Sequence, residues 1–224
     1  MPADSREKTS APRELLSRMI AHPVLKTVGI TAFITIFFLG YFELLESPRF
    51  PVTVMPLTAL DHAIAFAPFS LPIYLSLWVY VCFPPIALRT RRELVAYGWE
   101  SAAVALIGLG IFLFWPTVIP SPGIDWTQYP NFQFLKSVDA AGNACPSLHV
   151  AFAVFSAIRA GRIFRSLSAP LIVHLLNWLW CLAIIYSTLA TRQHVALDAA
   201  AGAVLGTLGG LFPFAARVRM PGTR

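Results

Sequence analysis

Cys145-Pro146-Ser147-Leu148-His149 and Thr191-Arg192-Gln193-His194-Val195-Ala196-Leu197-Asp198 each open a long apolar run, so each sets a histidine at the mouth of an expected membrane helix. A titratable ring at the edge of hydrocarbon is costly unless it performs a task or finds a partner. Two such rings stand here at matching helix starts, and the second has a carboxylate one turn further on. That pattern is expected of two cooperating catalytic groups rather than of isolated packing residues.

The rest of the chain agrees with a membrane setting. Of its 224 residues, 57% are hydrophobic and only 12% charged, and its mean hydropathy is +0.66. Soluble domains carry about 25% charged residues, so this chain is expected to lie in lipid as a single domain. Six runs are long enough to cross a bilayer: 24–45, 69–88, 97–119, 147–164, 170–190 and 194–216. The reading is therefore all-α, a polytopic six-transmembrane-helix bundle over 24–216 between an N-terminal tail (1–23, part helical around 14–20) and a C-terminal tail (217–224). Pro84-Pro85 and Pro116 are expected to kink or end the second and third runs. The proline-rich segment 47–68 reads as an interfacial or re-entrant stretch, being too broken to satisfy its own backbone in lipid. Cys82 and Cys181 fall inside apolar runs, so three cysteines do not make a disulfide framework.

Charge placement orients the bundle. Fourteen of the seventeen lysines and arginines fall before or at the start of the first run, after the second, at the end of the fourth or after the sixth, leaving Arg49, Lys136 and Arg192 for the other side. The positive-inside rule then puts both termini in the cytoplasm and His149 and His194 together on the opposite face. The formal charge of +6 reads as basic cytoplasmic loops, not as a nucleic-acid surface. Arg159 lies well inside the fourth run, so either it snorkels to the interface or that helix is tilted and shallow. The arginine bias and compact loops point to a bacterial inner membrane.

The residue types at the two helix starts suit phosphoryl chemistry. His194 and Asp198 stand at i and i+4, on one helix face. A carboxylate there accepts a ring N–H, fixes the tautomer and makes the other nitrogen more nucleophilic. His149 follows Pro146 in the first turn of its helix, where free backbone N–H groups and the positive dipole end make a phosphate cradle. Ser147 offers a hydroxyl. No metal or cofactor is expected, the carboxylates being too sparse for a two-metal site. His22, His62 and His174 read as interfacial or packing residues, and Gly202, Gly206, Gly209 and Gly210 as positions of close helix packing.

These residues resemble a known family. Pro146-Ser147-Leu148-His149 is similar to the PSGH motif of the type 2 phosphatidic acid phosphatase superfamily, and His194 with Asp198 matches the HxxxD end of its third motif, followed by Ala201-Gly202. The resemblance implies that His194 is a nucleophile forming a phosphohistidine, that His149 is the general acid and that Asp198 orients His194. Two arginine positions differ: the third motif's arginine is replaced by Thr188, and the first motif is absent from the matching stretch, which reads Trp115-Pro116-Thr117-Val118-Ile119-Pro120-Ser121-Pro122. The forms PSLHV and TRQH resemble the branch containing inositol phosphorylceramide synthases, where these arginines are also altered. The expected phosphate ligands are then Arg192, Ser147 and Lys136, with Arg49 a weaker candidate. Asp61, Asp125 and Asp139 lie on the same outer side, either tuning the acceptor or serving as plain loop residues.

The resemblance thus implies a membrane lipid phosphatase hydrolysing a lipid phosphate. The alternatives are a headgroup phosphotransferase of the inositol phosphorylceramide synthase type and a non-catalytic transporter or scaffold on the same fold. Neither the particular lipid nor the oligomeric state is written in the sequence.

Overall fold

A computed structural model describes residues 11–138 and 142–211. The expectations for residues 1–10, Asp139 and 212–224, including Arg217, Arg219, Arg224 and the end of the sixth run, lie outside the described residues. Among the described residues the regular elements are helices, apart from one two-stranded sheet. The predicted tail helix appears as α1 (Ala11–Ile20), and the first run as α2 (Pro23–Glu46). The segment 47–68 holds β1 (Thr53–Val54) and the five-residue α3 (Ala59–Ala63), with no helix of spanning length.

The second run is helical in pieces. A 3₁₀ turn at Pro68–Ser70 leads into α4 (Leu71–Leu75), α5 (Leu77–Tyr80) and α6 (Phe83–Ile86). Pro72, Pro84 and Pro85 each lack an N–H, which interrupts the regular ladder. The third run becomes α7 (Arg91–Phe114), which starts earlier than its hydropathy suggests. Its start is fixed by a capping box: Glu93 N–H donates to the Thr90 hydroxyl at 3.2 Å, and Thr90 N–H donates to the Glu93 carboxylate at 2.9 Å. It stops ahead of Pro116, and β2 (Thr117–Val118) follows, pairing in parallel with β1. The all-α expectation did not include this sheet, which braces two loop segments at one end of the molecule.

The remaining helices are α8 (Pro130–Val138), α9 (Leu148–Ser166), α10 (Leu171–Ala190) and α11 (Ala196–Leu211). Among the described residues four helical stretches are long and apolar enough to cross a membrane: Pro23–Glu46, Pro68–Ile86, Arg91–Phe114 and Leu171–Ala190. The predicted fourth run, α9, carries Arg159, Arg162 and Arg165, and the described part of α11 has 16 residues, so these two fall short on apolarity and length respectively.

Helix α9 is the axis of the fold, packed chiefly against α11 and α10. Val150, Ala153, Val154 and Ala157 of α9 share a core with Cys181, Ile184 and Leu189 of α10 and Ala199 of α11. Gly202 lies against the Ser147 carbonyl and Gly206 against the Ala151 carbonyl, so a methyl group at either would strike backbone. This is the close approach expected of small residues between apolar helices. Asn177 adds polar glue, donating to the Ala157 carbonyl at 3.0 Å and accepting from the Tyr80 hydroxyl at 2.8 Å.

The two ends of the bundle differ in chemistry. At one end Lys26 donates to the Ile86 carbonyl at 2.7 Å, Arg18 to the Ser166 hydroxyl at 2.9 Å, and Arg89 pairs with Glu14 at 3.3 Å. At the other, Ser147 N–H donates to the Asp198 carbonyl at 2.9 Å and Asn143 to the Tyr41 carbonyl at 3.0 Å. The interior holds one departure from expectation. Arg159 does not snorkel: its guanidinium pairs at 3.0 Å with Glu100 of α7, whose side chain is 2% exposed, and sits 6.0 Å from the Tyr97 ring centre. Reaching a buried carboxylate removes the need to reach water.

Candidate active site

Ser147 begins the site. It is the N-cap of α9, its hydroxyl accepting from Val150 N–H at 3.2 Å, and it is fully buried. The cap uses a lone pair of the hydroxyl and leaves its O–H free to donate. The residues before it are held by β2: Cys145 N–H donates to the Thr117 hydroxyl at 2.7 Å, and Ala144 N–H to the Thr117 carbonyl at 3.2 Å. Thus the stretch that lacks the family's first motif is the stretch that anchors the loop before α9. Burial, with the Asp198 carboxylate adding to it, pushes the Cys145 thiol up to about 11, so it stays a neutral packing group.

His149 lies one residue into α9. Its Nε2 is 3.1 Å from the Tyr74 carbonyl, and since a carbonyl only accepts, this bond places a hydrogen on Nε2. The ring stacks on Tyr74 with centroids 4.0 Å apart and meets the Trp78 ring edge-on at 6.4 Å. These contacts fix the imidazole from the side of the broken helix α4–α5.

His194 sits in the short loop between α10 and α11. Its N–H and that of Gln193 both donate to the Thr188 carbonyl at 3.1 Å, folding the loop back over the end of α10. Thr188, standing where the family has arginine, is fully buried and its hydroxyl donates to the Ile185 carbonyl at 2.7 Å. The expected histidine–aspartate bond is present: His194 Nδ1 lies 3.1 Å from Asp198 Oδ2. Asp198 is fully buried, and its second oxygen has no hydrogen-bond partner among the described residues. A carboxylate accepting from Nδ1 leaves the lone pair of His194 on Nε2.

Both histidines border one cavity of about 520 Å³ between α2, α4–α6, α7 and α9. Its walls are aromatic and apolar, with Phe33, Phe37, Phe38, Trp78 and Phe152 among them, and it extends along α2 as far as Leu25 and Lys26. The two imidazoles therefore meet over a shared apolar chamber.

The candidate phosphate ligands are placed differently. The Arg192 guanidinium donates to the Asp61 carbonyl at 2.9 Å and the Ile64 carbonyl at 2.7 Å. Arg49 pairs with Glu43 at 3.0 Å on the surface. Lys136 is carried on α8, and its side chain lies outside what the structure describes. Among the described residues no three of His, Cys, Asp and Glu gather into a metal-binding group.

In the sequence Asp61 read either as a residue tuning the acceptor or as a plain loop acid. It is 3% exposed, and its carboxylate accepts from Thr58 N–H and hydroxyl, both at 2.7 Å, and from Ala196 N–H at 2.8 Å. Burial raises its pKa, but the Thr58 and Ala196 hydrogen bonds and the nearby Arg192 charge outweigh it and hold the carboxyl below its ordinary range. Thr58 three residues ahead of Asp61 is a capping-box signature, and that was the available signal.

The fold and site define an integral-membrane helical protein with two histidines over an apolar chamber. The PAP2 superfamily profile matches residues 92–219, more than half of the chain, and the protein belongs to that superfamily. No curated protein and no solved structure matches the chain. Superfamily membership brings phosphatase-type chemistry on phosphoric esters in a membrane protein.

Proposed function

We propose that the protein is a lipid phosphatase that works through a phosphohistidine on His194. The observation that carries this reading is the pair of imidazoles on one apolar chamber, one of them bonded through Nδ1 to a buried carboxylate. The lipid chain lies along the aromatic walls beside α2, and the phosphate rests at the first turn of α9, where helix N–H groups favour an anion. Nε2 of His194 attacks phosphorus, an N–P bond forms and the bond from phosphorus to the lipid oxygen breaks. His149, as an imidazolium whose Nε2–H stays on the Tyr74 carbonyl, gives its Nδ1 proton to that oxygen and regains one from the water that attacks next. Water then attacks the phosphohistidine and releases phosphate. Asp198 keeps the tautomer that exposes the lone pair of Nε2.

In this reading α9 and α11 complete a six-span bundle, the basic end faces the cytoplasm, and the histidines face the opposite side, as the charge distribution favours. Lys136 and the α9 amides neutralise the phosphate, and Arg192, its guanidinium held on the Asp61 and Ile64 carbonyls, adds positive charge beside the site without contacting the phosphate.

The test is turnover of phosphorylated lipids by purified protein in detergent with chelator present. His194→Ala should abolish phosphate release, and Asp198→Asn should lower kcat by about 10²- to 10⁴-fold. The pH–rate profile should be bell-shaped, with limbs belonging to the coupled pair. Activity that survives His194→Ala would sink the nucleophile assignment. Phosphate appearing on an added acceptor lipid, rather than free, would make the enzyme a phosphotransferase.

A further inference from the structure

Helix α3 lies far from the histidines in sequence and outside the residues that match the family, yet it grips the nucleophile's loop from both sides. Two residues before His194, the Arg192 guanidinium bonds to the Asp61 and Ile64 carbonyls at the C-terminal end of α3. Two residues after it, Ala196 N–H, the first of α11, donates to the Asp61 carboxylate at 2.8 Å. The other carboxylate oxygen is fixed by both donors of Thr58. Arg192 also takes a left-handed backbone, with φ at 55°. A non-glycine residue holds that conformation only where its surroundings over-determine it. The bonds from Arg192 to α3 are such surroundings.

We infer that Asp61 is a positioning residue for His194: through Ala196 on one side and the carbonyl that receives Arg192 on the other, it sets where the imidazole stands over the chamber. This rests on the reading of His194 as nucleophile. Asp61 does not touch the reacting atoms. It supplies three acceptor contacts that an asparagine cannot reproduce, because one of its two terminal atoms becomes an NH₂ that only donates.

Displacing a reacting group by about 1 Å can cost on the order of 10²-fold in rate, so the effect belongs in kcat. Asp61→Asn should lower kcat by about tenfold or more with KM held within about twofold. Arg192→Lys loses the two-carbonyl grip and should shift kcat in the same way. A rise in KM with kcat preserved in Arg192→Lys would instead mark that arginine as a phosphate ligand and overturn its part in the clamp. A second readout does not need turnover: in ¹⁵N-histidine-labelled protein in micelles, Asp61→Asn should move the ring resonances of His194, assigned by their absence in His194→Ala, and leave those of His174 in place. Wild-type kcat and wild-type His194 resonances in folded Asp61→Asn would overturn the inference. Should the wild-type protein turn over no lipid phosphate, the phosphatase reading falls, and the His194 resonances alone decide whether Asp61 sets the ring.

Discussion

Single residues show how far local spacing reaches. His194 and Asp198 were readable as a bonded pair because four residues is one helical turn, and the 3.1 Å contact forms even though His194 stands in the loop two residues ahead of α11. Asp61 was not, because its partner Ala196 lies 135 residues away. Its ionisation gives a prediction with a definite sign. Hydrogen bonds depress its folded pKa below the ordinary 3.8, so its contribution to stability is complete above that value and fades as pH falls through the lower folded one. Asp61→Asn should therefore unfold at a lower temperature than wild type near neutral pH, with the gap closing below about pH 4. A gap that persists unchanged in acid would show that the lost stability does not come from the carboxylate's charge.

At the scale of elements, hydropathy gave the approximate extent of each run and side-chain partnership decided what the run became. The second run reads as one span, but it is helical in short pieces, and the break at Ser76 between α4 and α5 leaves Tyr74 and Trp78 around His149. In the fourth run Arg159 reads as a defect because its partner, Glu100, lies in another helix that looks merely apolar. Only when α7 and α9 pack together does the pair form at 3.0 Å. Removing one member of a buried pair costs about 3–5 kcal/mol, whereas replacing both with apolar groups is often neutral. Glu100→Gln should thus destabilise the protein strongly, and Glu100→Leu combined with Arg159→Leu should recover most of the loss. Thermal unfolding in detergent measures both, and equal damage from the single and double variants would contradict the pairing.

At the scale of the whole molecule, the basic end and the histidine end are separated by the length of the bundle. If positive charge sets the orientation, a cysteine placed at Arg89 in a Cys82→Ser background should resist a membrane-impermeant thiol reagent in intact cells, and one placed at Thr127 should react. The reverse pattern would invert the bundle and put the site in the cytoplasm. By itself the sequence determined that this chain lives in lipid, where its helices run, and that two histidines and an aspartate stand at helix starts. Those properties depend on composition and on the helical repeat, which are local. Tertiary structure alone decided that the two rings share a chamber and that Arg192 leans on α3. Each of these depends on which distant backbone groups arrive alongside, and no spacing along the chain encodes that.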